Sequence, residues 1–158
     1  MDIKIRKAKD KDLSSILQLY AHLGMDDGSI LTLKQALKIF GRIQTYPDYN
    51  LYIAVAKGKV IGTFALLVMD NLGHTGTRSG VVEEVVVHPD YRRRGIGGRM
   101  MKFAVDYCRK RDCYKMALSS NVQREDAHRF YEALGFKKHG YSFIVEFADY
   151  PNKQKKGD

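Results

Sequence analysis

The chain has 158 residues, 44% of them hydrophobic, with ten Tyr, seven Phe and no Trp. A chain of that length and composition buries a real core in one domain, which excludes a disordered polypeptide, and it has no run of about 18 apolar residues that would span a membrane. The formal charge is +9 at pH 7, which leaves open a lysine-rich surface, a nucleic-acid partner or a phosphate-bearing ligand.

Residues 3–7 alternate apolar and polar, as a half-buried strand does. Leu13, Ile16, Leu17, Tyr20 and Leu23 then fall on one helical face, with Asp10 or Asp12 as N-cap and Gly24 as the stop. Thr32 and Gln35 form a capping box for a second helix through Ala36, Leu37, Phe40 and Ile43. Residues 51–56 and 60–69 read as strands around a Lys57-Gly58-Lys59 hairpin. Residues 70–80 read as a loop with Gly73, Gly76 and Gly80. The run 81–87 is all valine except for Glu83 and Glu84, which suggests a strand buried on both faces. Residues 92–98 form a turn, and a helix follows over about 95–110 with Ile96, Met100, Phe103, Ala104 and Tyr107 inward. A short strand at 115–119 and a helix at 124–134, stopped by Gly135, come next. Residues 141–147 alternate again and are expected to close the sheet. The expectation is a mixed α/β chain, one domain over 1–150, with a basic, disordered tail at 151–158.

Cys108 and Cys113 do not make a disulfide framework, and no paired His lies nearby at ligand spacing, so no metal site is expected. No apolar leader of the secretory kind precedes the first strand. A reduced, cytoplasmic protein is the expectation.

The sharpest local signal is strand, then Arg92-Arg93-Arg94-Gly95-Ile96-Gly97-Gly98, then helix, with Arg99 one residue on. A helix N-terminus offers backbone N–H groups without partners and a partial positive charge. Glycine lets the backbone approach a phosphate closely, and arginines add charge-assisted hydrogen bonds. Together these make a pyrophosphate cradle. No Walker A sequence is present, and the turn follows the fourth strand rather than the first, unlike a dinucleotide fingerprint. A basic, glycine-containing helix cap without a ligand remains the plain alternative.

The stretch Val85-Val86-Val87-His88-Pro89-Asp90-Tyr91-Arg92-Arg93-Arg94-Gly95-Ile96-Gly97 resembles the signature segment of the GNAT superfamily of N-acetyltransferases. Asn121 followed by Ala127-His128-Arg129-Phe130-Tyr131-Glu132-Ala133-Leu134-Gly135-Phe136 is similar to that family's second motif. The resemblance covers residues 80–147 closely and the N-terminal half only in element order. It implies the GNAT-like fold, a mostly antiparallel sheet with splayed parallel strands flanked by helices. It also implies acetyl-CoA as cosubstrate, held by the turn, by the backbone of Val85, Val86 and Val87, and by Asn121 and Phe130. A homodimer is implied as well.

Acetyl transfer to an amine needs a base, a polarised thioester carbonyl and a donor for the leaving thiolate. From the residues alone Tyr131 reads as a ring packed beside Phe130; the resemblance implies that it is the general acid. Glu83 and Glu84 are the candidate bases, because two carboxylates in a valine strand are costly unless one face meets solvent or ligand. Adjacent strand residues point to opposite faces, so one of the two reaches a given pocket. Glu84, on the side of Val82 and Val86, is preferred, with Glu83 or a bridged water as alternatives. Asn121 reads equally well as a turn residue. His88 reads as a turn cap, His128 as a possible cofactor contact and His139 as a surface residue. No histidine has an acid at triad spacing, which favours direct transfer in a ternary complex.

Residues 118–131 are similar to aminoalkylphosphonate N-acetyltransferases, and the 83–87 and 140–147 segments to glucosamine-6-phosphate N-acetyltransferases. The expected acceptor is therefore a small amine bearing phosphate or phosphonate. Peptide acetylation, a non-catalytic acyl-CoA sensor and a nucleic-acid-binding basic domain are the rivals. The last lacks any recognisable binding motif.

Overall fold

The computed structural model describes residues 1–23, 29–145 and 147. The chain divides into two compact units, Met1–Leu118 and Ser119–Asp158. The first holds β1 (Lys4–Lys7), α1 (Leu13–Ala21), α2 (Leu33–Ile43), β2 (Tyr49–Ala56), β3 (Lys59–Met69), β4 (Arg78–Val87), α3 (Ile96–Arg109) and β5 (Cys113–Ala117). The strands form one sheet in the order β1-β2-β3-β4-β5. All neighbours are antiparallel except β4 and β5, which are parallel. This is the mixed sheet with a parallel pair that the sequence leads one to expect.

Local chemistry explains most boundaries. The β2–β3 hairpin turns on Lys57 and Gly58, both at positive φ (48° and 76°), which matches the right-handed twist of the strands it joins. Thr32 and Gln35 make the expected capping box at the start of α2. α1 starts differently. Asp12 is its N-cap residue but caps nothing with its side chain. Its carboxylate instead accepts two hydrogen bonds from the Arg6 guanidinium, at 2.7 and 2.9 Å, and one from the Lys9 backbone N–H at 2.8 Å. Gly24, the expected stop for α1, lies outside the described residues, as does the tail at 151–158.

Helices cover both faces of the sheet. On one face Ala8, Leu13, Ile16, Leu17, Ala36, Phe40, Leu51 and Ile53 form one buried cluster. On the other, Tyr52 packs against Phe64, Phe103 and Tyr107, and α3 buries Ile96, Met100, Met101, Ala104 and Cys108. Leu37, one of the apolar residues of α2, is exposed.

Three expectations are corrected. β4 begins at Arg78, so Gly80 belongs to a strand rather than a loop. It is buried there, and a Cβ on it would lie 2.4 Å from Cys108 Sγ, which lets α3 press close to the sheet. β4 is not buried on both faces: Val82 and Val86 are buried, whereas Glu83 and Glu84 are exposed. Finally, residues 141–145 and 147 form no strand. Tyr141, Phe143, Ile144, Val145 and Phe147 are 91, 91, 83, 74 and 77% exposed. Strand propensity is realised only against cross-strand neighbours, and this segment pairs with none among the described residues.

Candidate active site

Between Thr63↔Val86 and Ala65↔Glu83 the register of β3 and β4 shifts. Glu84 and Val85 thus stand opposite the single residue Phe64, and Glu84 takes the left-handed conformation, φ 54°. That is a β-bulge, which breaks the simple alternation of faces. The alternation on which the expectation of one acid per pocket rests is therefore broken here. The charges of both Glu84 and Glu83 act on the phenol of Tyr49 in β2.

Around this bulge lies a group of tyrosines. Tyr20 of α1 donates a 2.6 Å hydrogen bond to Glu84 Oε2. Burial, the charge of Glu84 and this hydrogen bond hold the Tyr20 phenol well above the ordinary range. Tyr49 is raised too, by burial first and then by the two glutamates, and its ring meets that of Tyr46 edge-on at 6.0 Å. Glu83 sits above the usual carboxylate range, because burial and then the neighbouring Glu84 disfavour its anion. Sequence reasoning placed Tyr20 on the core face of α1 and missed its role here. The available signal was a phenol among aliphatics, whose polar tip needs a partner when buried.

β4 pairs with β5 only from Arg78 to Val81. From Val82 onward β4 has no partner on that side among the described residues, although Val86 and Val87 still pair with β3 on the other. The backbone of Val85, Val86 and Val87 therefore lies on a stretch of β4 that β5, ending at Ala117, does not cover. Directly beyond, His88 caps a short helical turn at Pro89–Tyr91, with Nδ1 accepting from the Asp90 N–H. Arg93 and Gly95 both adopt positive φ, 58° and 75°, and Gly95 is the N-cap of α3 with no side-chain cap. The N–H groups of Ile96, Gly97 and Gly98 therefore open the helix without intrahelical acceptors. Arg92 Nε donates to the Val87 carbonyl at 3.3 Å, and the Arg94 guanidinium lies over the Tyr91 ring. Arg92, Arg93, Arg94 and Arg99 are exposed, and none is in an ion pair among the described residues. Unneutralised arginines, free helix N–H groups and left-handed turn residues fit a pyrophosphate.

The second unit carries the remaining candidates on and before α4 (Glu125–Ala133). Asn121 Oδ1 accepts from the Gln123 N–H at 2.9 Å, so its side chain shapes the turn before the helix. The Asn121 carbonyl lies 2.9 Å from His128 Nε2. Tyr131 is half-buried, with its ring edge-on to Phe130 and Phe136. His139 is exposed. Burial pushes the Cys108 thiol up to about 12 and raises Cys113 as well, the opposite of what a cysteine nucleophile needs. Among the described residues, no group of three or more His, Cys, Asp or Glu could hold a metal ion, and no helix is long and apolar enough to cross a membrane.

Comparison with known proteins agrees with this geometry. Residues 15–136 match the acetyltransferase (GNAT) family. The chain is 28% identical over 146 residues to a glucosamine 6-phosphate N-acetyltransferase of Trypanosoma brucei brucei, covering 88% of this chain and 92% of that protein. It is 27% identical over 140 residues to an aminoalkylphosphonate N-acetyltransferase of Salmonella typhimurium, covering 89% and 88%. Among solved structures, a Bacillus halodurans C-125 protein described as a transcriptional regulator superposes with a TM-score of 0.86 at 26% identity, over 92% of this chain and all of that one.

Proposed function

The chain belongs to the GNAT family of acetyltransferases, and we propose that it moves the acetyl group of acetyl-CoA to the primary amine of a small molecule bearing a phosphate or phosphonate, by direct transfer in a ternary complex. The observation that carries this reading is the turn at 92–98. It leaves the stretch of β4 that β5 does not cover, ends in the uncapped start of α3 and carries arginines in no ion pair among the described residues. Acetyl-CoA supplies an activated acetyl group on a thiol leaving group. Its pyrophosphate would take the N–H groups of Gly95 to Gly98 and the guanidiniums of Arg92, Arg93, Arg94 and Arg99. Its amide-rich arm would run along the open side of Val85 to Val87, where strand-like hydrogen bonding is available.

The chain's own residues would then divide the proton work. A carboxylate of the Glu83/Glu84 pair takes the proton that the amine must lose, and Tyr131 donates toward the departing sulfur. Asn121 and Phe130 line the cosubstrate. The acceptor class rests on the relatives: proteins named for glucosamine 6-phosphate and for aminoalkylphosphonates match over most of this chain. A panel of amines with acetyl-CoA, scored by thiol release, tests it. Glucosamine 6-phosphate and 2-aminoethylphosphonate are expected to turn over, and activity confined to polyamines or peptides would overturn the acceptor.

A further inference from the structure

Resting on the reading of the chain as an amine acetyltransferase, we propose that Tyr20 is a positioning residue: its hydroxyl fixes Glu84 as the anchor for the acceptor's ammonium and leaves Glu83 as the base. The geometry separates two carboxylates that are neighbours in sequence. Glu84 sits on the bulge in a left-handed conformation that a residue other than glycine adopts rarely. Its Oε2 accepts the 2.6 Å hydrogen bond from Tyr20, 64 positions away in the chain. A phenol donating to a carboxylate holds that side chain in one orientation. Glu83 has no such partner among the described residues. The charged group that acts on it is Glu84, another carboxylate, and no basic side chain offsets it. The groups facing the pair are Tyr20 from α1 and Tyr49 from β2, with the Tyr46 ring packed edge-on against Tyr49. This niche is negative and aromatic, which suits an ammonium. The acceptor's phosphate must then point away from it.

The two acids should differ accordingly. A fixed, hydrogen-bonded carboxylate attracts and orients a cation. An unpartnered one whose anion is disfavoured by burial and by a like charge is the better proton acceptor near neutral pH.

The test combines steady-state kinetics with a readout that needs no turnover. Glu83→Gln is expected to lower kcat by about 10²–10³-fold, the range of general acid–base catalysis, and to abolish the acid limb of its pH profile. Glu84→Gln should raise the amine KM by about tenfold with kcat kept and the acid limb still present but moved to lower pH, since Glu83 loses its like-charged neighbour. Tyr20→Phe should raise that KM by about 5–10-fold, the size of losing a part-exposed hydrogen bond to a charge. In the Glu84→Gln background it should add less than about twofold. Unfolding temperature and acetyl-CoA affinity should stay as in the wild type for Tyr20→Phe. Independently of activity, ¹³Cζ-tyrosine NMR at neutral pH should show the Tyr20 resonance shifting in Glu84→Gln, because the phenol loses its carboxylate acceptor. No movement of that resonance overturns the contact. An equal Tyr20→Phe effect with and without Glu84, or an acid limb lost in Glu84→Gln and kept in Glu83→Gln, overturns the division of roles. A shifted Tyr20 resonance in a protein that acetylates no amine overturns the acetyltransferase reading and the roles with it, and leaves the contact standing.

Discussion

Replacing Gly97 with glutamate should move fold stability and cosubstrate affinity in opposite directions. Gly97 is the second residue of α3, whose N-cap Gly95 supplies no capping side chain. An acid in the first turn of a helix is favourable by about 0.3–1 kcal/mol, and replacing a helical glycine adds about 0.5–1 kcal/mol. The variant without ligand should thus melt no lower than the wild type. For acetyl-CoA the same carboxylate is a repulsive neighbour. Against one phosphate charge about 5 Å away it costs about 0.8 kcal/mol in water and about 3 kcal/mol at a surface-like dielectric of about 20. Two pyrophosphate charges give about 2–6 kcal/mol, so Kd should rise by at least about 30-fold. Isothermal titration of acetyl-CoA into both proteins, beside their thermal melts, measures both signs. Gly97→Ala, which adds bulk without charge, separates crowding from repulsion. Acetyl-CoA affinity in Gly97→Glu within threefold of wild type would mean that no phosphate sits at this helix start, and that the turn is a basic cap and nothing more.

Tyr131→Phe keeps the ring contacts with Phe130 and Phe136 and should lower kcat by about 10²–10³-fold with acetyl-CoA affinity unchanged; unaltered kcat by thiol-release assay would remove the donor role. Asp12→Asn breaks a buried carboxylate's bonds to Arg6 and Lys9 and should cost about 2–3 kcal/mol in urea unfolding at pH 7. The Arg6 hydrogen bond holds Asp12 below the usual carboxylate range. Its contribution is therefore fully present above about pH 4 and is lost as pH falls through the depressed value, so the gap between the two proteins should close in acid; a gap independent of pH would refute the ion pair. Gly80→Ala places a methyl 2.4 Å from Cys108 Sγ and should destabilise by about 1–3 kcal/mol, with Cys108→Ala in the same chain recovering part of the loss; no change in denaturant midpoint would show that α3 gives way freely.

What was legible in the sequence was local. The phosphate turn has all its ingredients within residues 92–99, so their order alone suggests the cradle. The Thr32–Gln35 box and the Lys57-Gly58 hairpin are likewise short-range, and both form as expected. What was not legible depends on partners distant in sequence. Asp12 could have capped α1, but Arg6 on the neighbouring strand outcompetes the helix for its carboxylate. Gly80 resembles a loop glycine until Cys108 is seen packed on it. Residues 141–147 have the composition of a strand, and no composition says whether a neighbouring backbone will be there to pair with it.

The bulge in β4 is the most consequential of these hidden features, because it alters chemistry as well as shape. Period-two alternation applied to Val82–Val86 puts Glu83 and Glu84 on opposite faces, which turns the choice of base into a choice of face. One extra residue against Phe64 removes that choice. Both carboxylates then act on Tyr49, and Glu84 raises the cost of charging Glu83. A neutral amine must be drawn in as its ammonium and then stripped of a proton, and a single carboxylate serves those needs poorly, since what attracts a cation best is a weak base. Two carboxylates in unequal surroundings serve both, one held by the Tyr20 hydroxyl and one resisted by burial. The asymmetry comes from α1, in the half of the chain where the sequence motifs are silent, so under the roles proposed above the choice between Glu83 and Glu84 is made at Tyr20 rather than in β4.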